Sequence, residues 1–240
     1  MNIMRKIYQI LLLNFAIISC AQKTEQPCDD AFIRGNNYVL NADFNNAKKE
    51  FEKSIIKDPK NANAFYGLAS TYSIEGNYKK ASEYFTKSIS LDNKFTLAYY
   101  GRGTVNYISG DLENSYSDFL KVVELKPDFS YAWVYLANVQ NQQGKYNDAI
   151  NSFNAAIKLE PNNYLFLYQK GVAEGNHSNY AESIETLSQA IQLNPKNSLS
   201  YVYRGTFYYQ SGNKKEACLD FQKAQNLGFK TDDYLKKYCN

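Results

Sequence analysis

Histidine is nearly missing from this chain: His177 is the only one among 240 residues. It has no second histidine or cysteine near it in sequence with which to build a metal-ligand set, and no nucleophile–base motif surrounds it. Charge of one sign is also missing. Lysine and arginine number 27 against 24 aspartates and glutamates, and without Arg5 and Lys6 near the start the balance is almost neutral. That excludes the concentrated basic surface that nucleic acid requires. A phosphate loop is lacking too. Gly101-Arg102-Gly103 has no third glycine and no preceding strand pattern, so its glycines read as helix packing positions. Asp29-Asp30 and Asp232-Asp233 mark helix beginnings rather than an acid and a base. The residues therefore indicate no enzyme, no cofactor and no metal site.

Long apolar runs are absent as well. The nearest approach is Ile7 to Ile18, interrupted by Gln9 and Asn14, which is too short for a stable bilayer span but suits a signal-peptide core behind Arg5 and Lys6.

What the chain has in quantity is tyrosine and phenylalanine, 22 and 14 residues, and a period. Ala42, Gly76, Gly110, Gly144, Ser178 and Gly212 lie 34 positions apart, as do Phe51, Phe85, Phe119, Phe153, Leu187 and Phe221. A fixed period of this size marks stacked supersecondary units. Within Ser130–Asn163, Trp133, Ala137 and Gln140 share one helical face. After Gly144, a second pattern runs through Tyr146, Ala149, Phe153, Ala156 and Ile157. Gly144 can take the positive φ that ends the first helix, and Pro161 cannot extend the second. Small residues recur where the two helices must approach: Gly35, Ala69, Gly103, Ala137, Gly171 and Gly205 on the first, and Ala47, Ala81, Ser115, Ala149, Ser183 and Ala217 on the second. Large aromatics fill the space between them.

Tyr146-x-x-Ala149-x-x-x-Phe153-x-x-Ala156, closed by Leu159-x-Pro161 and preceded by Trp133, Ala137 and Gly144, resembles the tetratricopeptide repeat. The resemblance implies an all-α fold, an α-solenoid of six tandem helix-turn-helix hairpins plus a C-terminal capping helix. The units are 28–61, 62–95, 96–129, 130–163, 164–197 and 198–231, and the cap is 232–240. In the fifth unit Gly175 is expected to end the first helix early and leave a looser loop at His177 and Ser178. Thr231 is expected to N-cap the last helix, with Tyr234 and Tyr238 covering the end of the stack. Cys218 and Cys239 are brought near one another there, either as a disulfide staple or as two free buried thiols.

The front end reads as an address. Residues 1–19 form a lipoprotein signal peptide, because Ile17-Ile18-Ser19-Cys20 resembles the bacterial lipobox, whose cysteine is acylated after cleavage. Residues 20–27 are then a lipidated Cys20 and a tether whose seven residues after Cys20 reach at most about 25 Å. Ala21 is not the aspartate of the enteric inner-membrane retention signal. By resemblance this favours the outer membrane, on its periplasmic face or at the cell surface, as in Bacteroidetes lipoproteins.

In stacked repeats of this kind, one stripe of each first helix lines a concave groove. The matching positions here include Tyr66, Ser70, Tyr100, Thr104, Tyr107, Tyr131, Asn138, Asn141, Tyr168 and Tyr209, with Ser73, Val202 and Thr206. Tyrosine presents a large apolar face with a polar tip, which suits recognition; some of these rings instead bridge neighbouring repeats. The lysines of the family's carboxylate clamp have no counterparts, although Asn36 and Asn138 match its asparagine. The expected function is a lipid-anchored monomeric scaffold that holds an envelope protein or peptide segment. Alternatives are an outer-membrane assembly factor, resembling a pilotin or a barrel-assembly lipoprotein, and a glycan-handling accessory protein.

Overall fold

The structure, a computed structural model, describes residues 30–239. Cys20, its tether and the signal segment lie outside the described residues. Thirteen α-helices and no strand occur among the described residues, and the chain divides into two compact units after Pro127. The first unit holds three hairpins: α1 (Asp30–Leu40) with α2 (Phe44–Lys57), α3 (Ala62–Glu75) with α4 (Tyr78–Leu91), and α5 (Thr96–Ile108) with α6 (Leu112–Leu125). The second holds α7 (Ser130–Gln142) with α8 (Tyr146–Leu159), α9 (Tyr164–Asn176) with α10 (Tyr180–Leu193), and α11 (Ser198–Gln210) with α12 (Lys214–Asn226), followed by α13 (Asp232–Tyr238). The fold class is thus the expected one, tandem helical hairpins and a terminal helix.

Each turn is built by one backbone device. Gly76, Gly110, Gly144 and Gly212 adopt φ between 76° and 89°, and Ala42 and Ser178 take the same left-handed conformation at φ 59° and 65°. The next N–H then reaches back over the helix end, as in Asn77 to the Tyr72 carbonyl at 2.9 Å and Lys145 to Gln140 at 2.8 Å. That bond satisfies a carbonyl the helix leaves open. In the first unit Asp43, Asn77 and Asp111 also accept from the N–H three residues on, which caps α2, α4 and α6.

Packing follows the large–small alternation. Phe51 is fully buried and wedged between Gly35 of its own hairpin and Gly67 of the next; a Cβ on either glycine would lie within 2.6 Å of the ring. Phe85 presses on Gly101 and Leu187 on Gly171 in the same way. Where a serine replaces the small alanine, its hydroxyl bonds the facing helix backbone: Ser115 to Gly103 O at 2.9 Å, Ser183 to Gly171 O at 2.6 Å.

Two expectations are corrected. Gly175 does not end α9 early. The helix runs on to Asn176, and Gly175 is small because the Phe207 ring lies against it, 2.3 Å from where a Cβ would sit. Thr231 stands at the N-cap of α13 but makes no side-chain cap bond: its ψ of 8° departs from the extended backbone that aims a capping hydroxyl at the first turn. The end of the second unit is closed by the expected rings and by sulfur. Phe221 packs against Tyr234 and Tyr238 at 5.3 and 5.8 Å. Cys218 and Cys239 are joined in a disulfide with Cα atoms 5.6 Å apart.

Candidate peptide-binding surface

A hairpin stack offers ligands the faces of its first helices that no neighbouring helix covers. In the first unit most of the expected stripe is not such a face. Tyr66 and Tyr100 are each only 1 % exposed, and Ser70, Ser73 and Thr104 are buried. Tyr66 sits 5.8 Å from Phe85 and 5.1 Å from Phe95; Tyr100 stands edge-on to Phe119 at 5.8 Å. These are core rings, and their assignment to a groove is corrected. The physical reason is positional. The fifth residue of these repeats points between adjacent helices, and Phe32, Val134 and Val202 at the same register are buried too; only in the fifth repeat does that residue, Tyr168, keep a partly exposed face. Thr104 returns its hydroxyl to the Tyr100 carbonyl at 2.8 Å, which leaves it little to offer a ligand. Of the expected stripe in this unit, Tyr107 keeps a half-exposed face.

The second unit differs. Tyr131, Asn138, Asn141, Tyr168 and Tyr209 are all partly exposed. Their buried portions anchor them. Tyr131 is edge-on to Phe166 at 5.2 Å, Tyr168 to Tyr203 at 5.8 Å, and Tyr209 lies 4.3 Å from Tyr238 of α13. Asn138 donates through Nδ2 to Gln169 Oε1 at 2.8 Å, tying α7 to α9. Burial raises the Tyr131 and Tyr168 phenols above their usual range. They stay protonated and act as neutral donors or acceptors.

The charges of the first helices have a common fate. Each described charged side chain on them is held in an ion pair. Arg34 meets Glu50 at 2.7 Å, Glu75 meets Lys48 at 2.8 Å, and Lys170 meets Glu174 at 3.4 Å. Arg102 grips both oxygens of Asp118, at 3.0 and 2.7 Å, and reaches Thr86. Arg204 repeats that arrangement on Asp220 and Ser188. Burial pushes the Asp118 carboxyl up despite its arginine. For Arg204 burial works against the charge, but the Asp220 bonds outweigh it. The sequence reading missed these latches. Their signal was present as an arginine at one repeat position (34, 102, 204) with an acid 16 residues later (50, 118, 220). Helix α7 carries no charged residue at all. His177 caps α9 beside Tyr146, Lys145 and Asn179 at a shallow open depression, and burial lowers its pKa.

Family models described as tetratricopeptide repeat match residues 62–95, 97–129, 130–163 and 168–229, well over half of the chain. The chain belongs to the tetratricopeptide-repeat family. Solved structures similar to this TPR protein include PilF of Pseudomonas aeruginosa, at 17 % identity over 98 % of each chain with a TM-score of 0.71. A tetratricopeptide repeat protein from Parabacteroides merdae is 17 % identical over 87 % of this chain and 96 % of its own, with a TM-score of 0.69. YrrB, a TPR protein described with an unusual peptide-binding site, is 20 % identical over 79 % and 96 %, with a TM-score of 0.67. At these identities the likeness concerns the fold. No curated protein matches the sequence significantly.

Proposed function

We propose that this TPR protein is a non-catalytic scaffold, anchored by lipid on Cys20 to the outer membrane, that holds an uncharged stretch of another envelope protein. The observation supporting the reading is the neutrality of its first helices. With Arg102 and Arg204 turned onto acids inside their own hairpins, and with α7 free of charge, the partly exposed groups of α7 are rings and amides: Tyr131, Trp133, Asn138 and Asn141. Such a surface gains by covering apolar area and by exchanging neutral hydrogen bonds. It gives a terminal carboxylate no cation to pair with. In the second unit, Tyr131 and Tyr168 supply ring faces and Asn141 a side-chain amide. The assembly-factor reading gives the same surface a particular outer-membrane complex, and loss of one such complex on deletion would favour it.

Photo-crosslinking in intact cells tests the surface. A crosslinker at Asn141, on α7, is expected to capture one defined envelope protein, whereas one at Gln192, on the exposed side of α10, captures none. Equal capture from both positions, or none from Asn141, refutes the assignment. The anchor is tested separately by the mass of the mature chain; an unmodified Cys20 would remove it.

A further inference from the structure

The first hairpin has an anomaly that peptide binding does not use. Ile56, near the end of α2, is 80 % exposed. The same repeat position elsewhere holds Ser90, Glu124, Lys158, Gln192 and Asn226, all polar and all exposed. Solvent exposure is therefore what this position imposes, and an aliphatic there is out of character with its own repeat. Ile33, on α1, is 44 % exposed, whereas its counterparts Gly67 and Gly101 are buried beneath Phe51 and Phe85 of the preceding hairpin. Leu40, at the end of α1, is also exposed. Three of the chain's exposed large aliphatics thus belong to one hairpin.

Cations surround Ile56. Lys49, Lys53 and Ile56 follow at spacings of four and three on one face of α2, with Lys57 beside Ile56 and Lys60 in the turn that follows the helix. All four lysines are exposed. Glu50 is engaged by Arg34 and Lys53; counting that cluster whole, Arg34, Lys49, Lys53, Lys57 and Lys60 stand against Glu50, Glu52 and Asp58. The cations therefore exceed the acids on this face. An exposed aliphatic within a lysine cluster is the composition of a surface that rests on lipid: the alkyl group enters the interface while the ammonium groups meet phosphates. The chain ahead points the same way, since α1 begins ten positions after Cys20.

We propose that the Lys49–Ile56 face of α2 rests on an anionic lipid surface, and so sets how the scaffold stands on its membrane. The biological setting rests on the anchored reading above; the contact itself does not require acylation. Residues 21–240 keep all thirteen helices and the whole described core while lacking Cys20, so flotation of this chain with vesicles tests the contact alone. It is expected to float with phosphatidylglycerol–phosphatidylcholine vesicles, weakly with phosphatidylcholine alone, and to be released by salt. Ile56→Ser lowers the partition coefficient about tenfold or more, and Lys49→Gln and Lys60→Gln about fivefold each. At its exposure Ile56→Ser leaves the circular dichroism unchanged. Absence of flotation, or equal flotation of the Ile56→Ser chain, overturns the proposal. So does a concentration-dependent dimer that Ile56→Ser dissolves, which would make the face a contact between copies. An unmodified Cys20 in the native chain would remove the anchor and leave this result standing.

Discussion

Replacing Tyr66 by alanine separates a core ring from a binding ring. Tyr66 is 1 % exposed and touches Phe85 and Phe95. A buried tyrosine removes about 150–200 Å² from water, worth about 4–5 kcal/mol at 25 cal/mol per Å². The hydroxyl returns part of this: it lies near the Ser70 hydroxyl without forming a well-aligned hydrogen bond to it, and relieving its desolvation offsets about 1–2 kcal/mol. The cavity left behind adds to the loss. Tyr66→Ala is therefore expected to cost about 3–4 kcal/mol in urea unfolding followed by far-ultraviolet circular dichroism. Tyr66→Phe keeps the ring and removes the hydroxyl, so it should leave stability unchanged or raise it by up to about 1 kcal/mol. A pH series adds a signature. Burial raises the Tyr66 phenol far above its usual range, with Ser70 opposing only in part. A folded pKa above the unfolded one means that stability falls as pH rises beyond about 10. Tyr66→Phe should lose its share of that fall. Were Tyr66→Ala within about 1 kcal/mol of wild type, the ring would not be part of the core and would belong to the groove.

Arg102→Ala leaves Asp118 buried without its bidentate partner and is expected to cost about 3–5 kcal/mol. The Asp118 carboxyl is already raised by burial. A raised acid is tolerated below its pKa, so the defect should be small at acid pH, grow as pH rises through and above the carboxylate range, and be largely relieved by Asp118→Asn; a pH-independent defect would contradict this. Cys218→Ser removes the staple across 21 residues, a constraint worth about 3 kcal/mol. Hydrogen exchange should quicken in α13 and the end of α12 while α1 to α6 are unchanged; unchanged protection of α13 would show that its rings alone hold it.

The positions where helices stop were legible because they depend on single residues: a left-handed turn residue at 76, 110, 144 and 212, and a wedge aromatic 9 residues later. Ser178 and Ala42 kept the same turn without glycine because the bond reaching back over the helix end outweighs the modest cost of a left-handed side chain. Gly175 misled because a glycine near a helix end has two meanings, a break or a close approach, and only the partner ring Phe207 distinguishes them.

The surface was less legible. A period of 34 assigns every residue a register, and register decides backbone conformation, so the amino-acid order alone determined hairpins, turns and the large–small wedges. Whether a side chain at a given register meets water depends on what the next hairpin places against it. Tertiary packing therefore drew Tyr66 and Tyr100 inward, left Tyr131 and Tyr168 at the rim, turned Arg102 and Arg204 onto acids 16 residues away, and left Ile56 bare. Local geometry follows from neighbours a few residues apart along the chain, whereas burial follows from neighbours a whole repeat away.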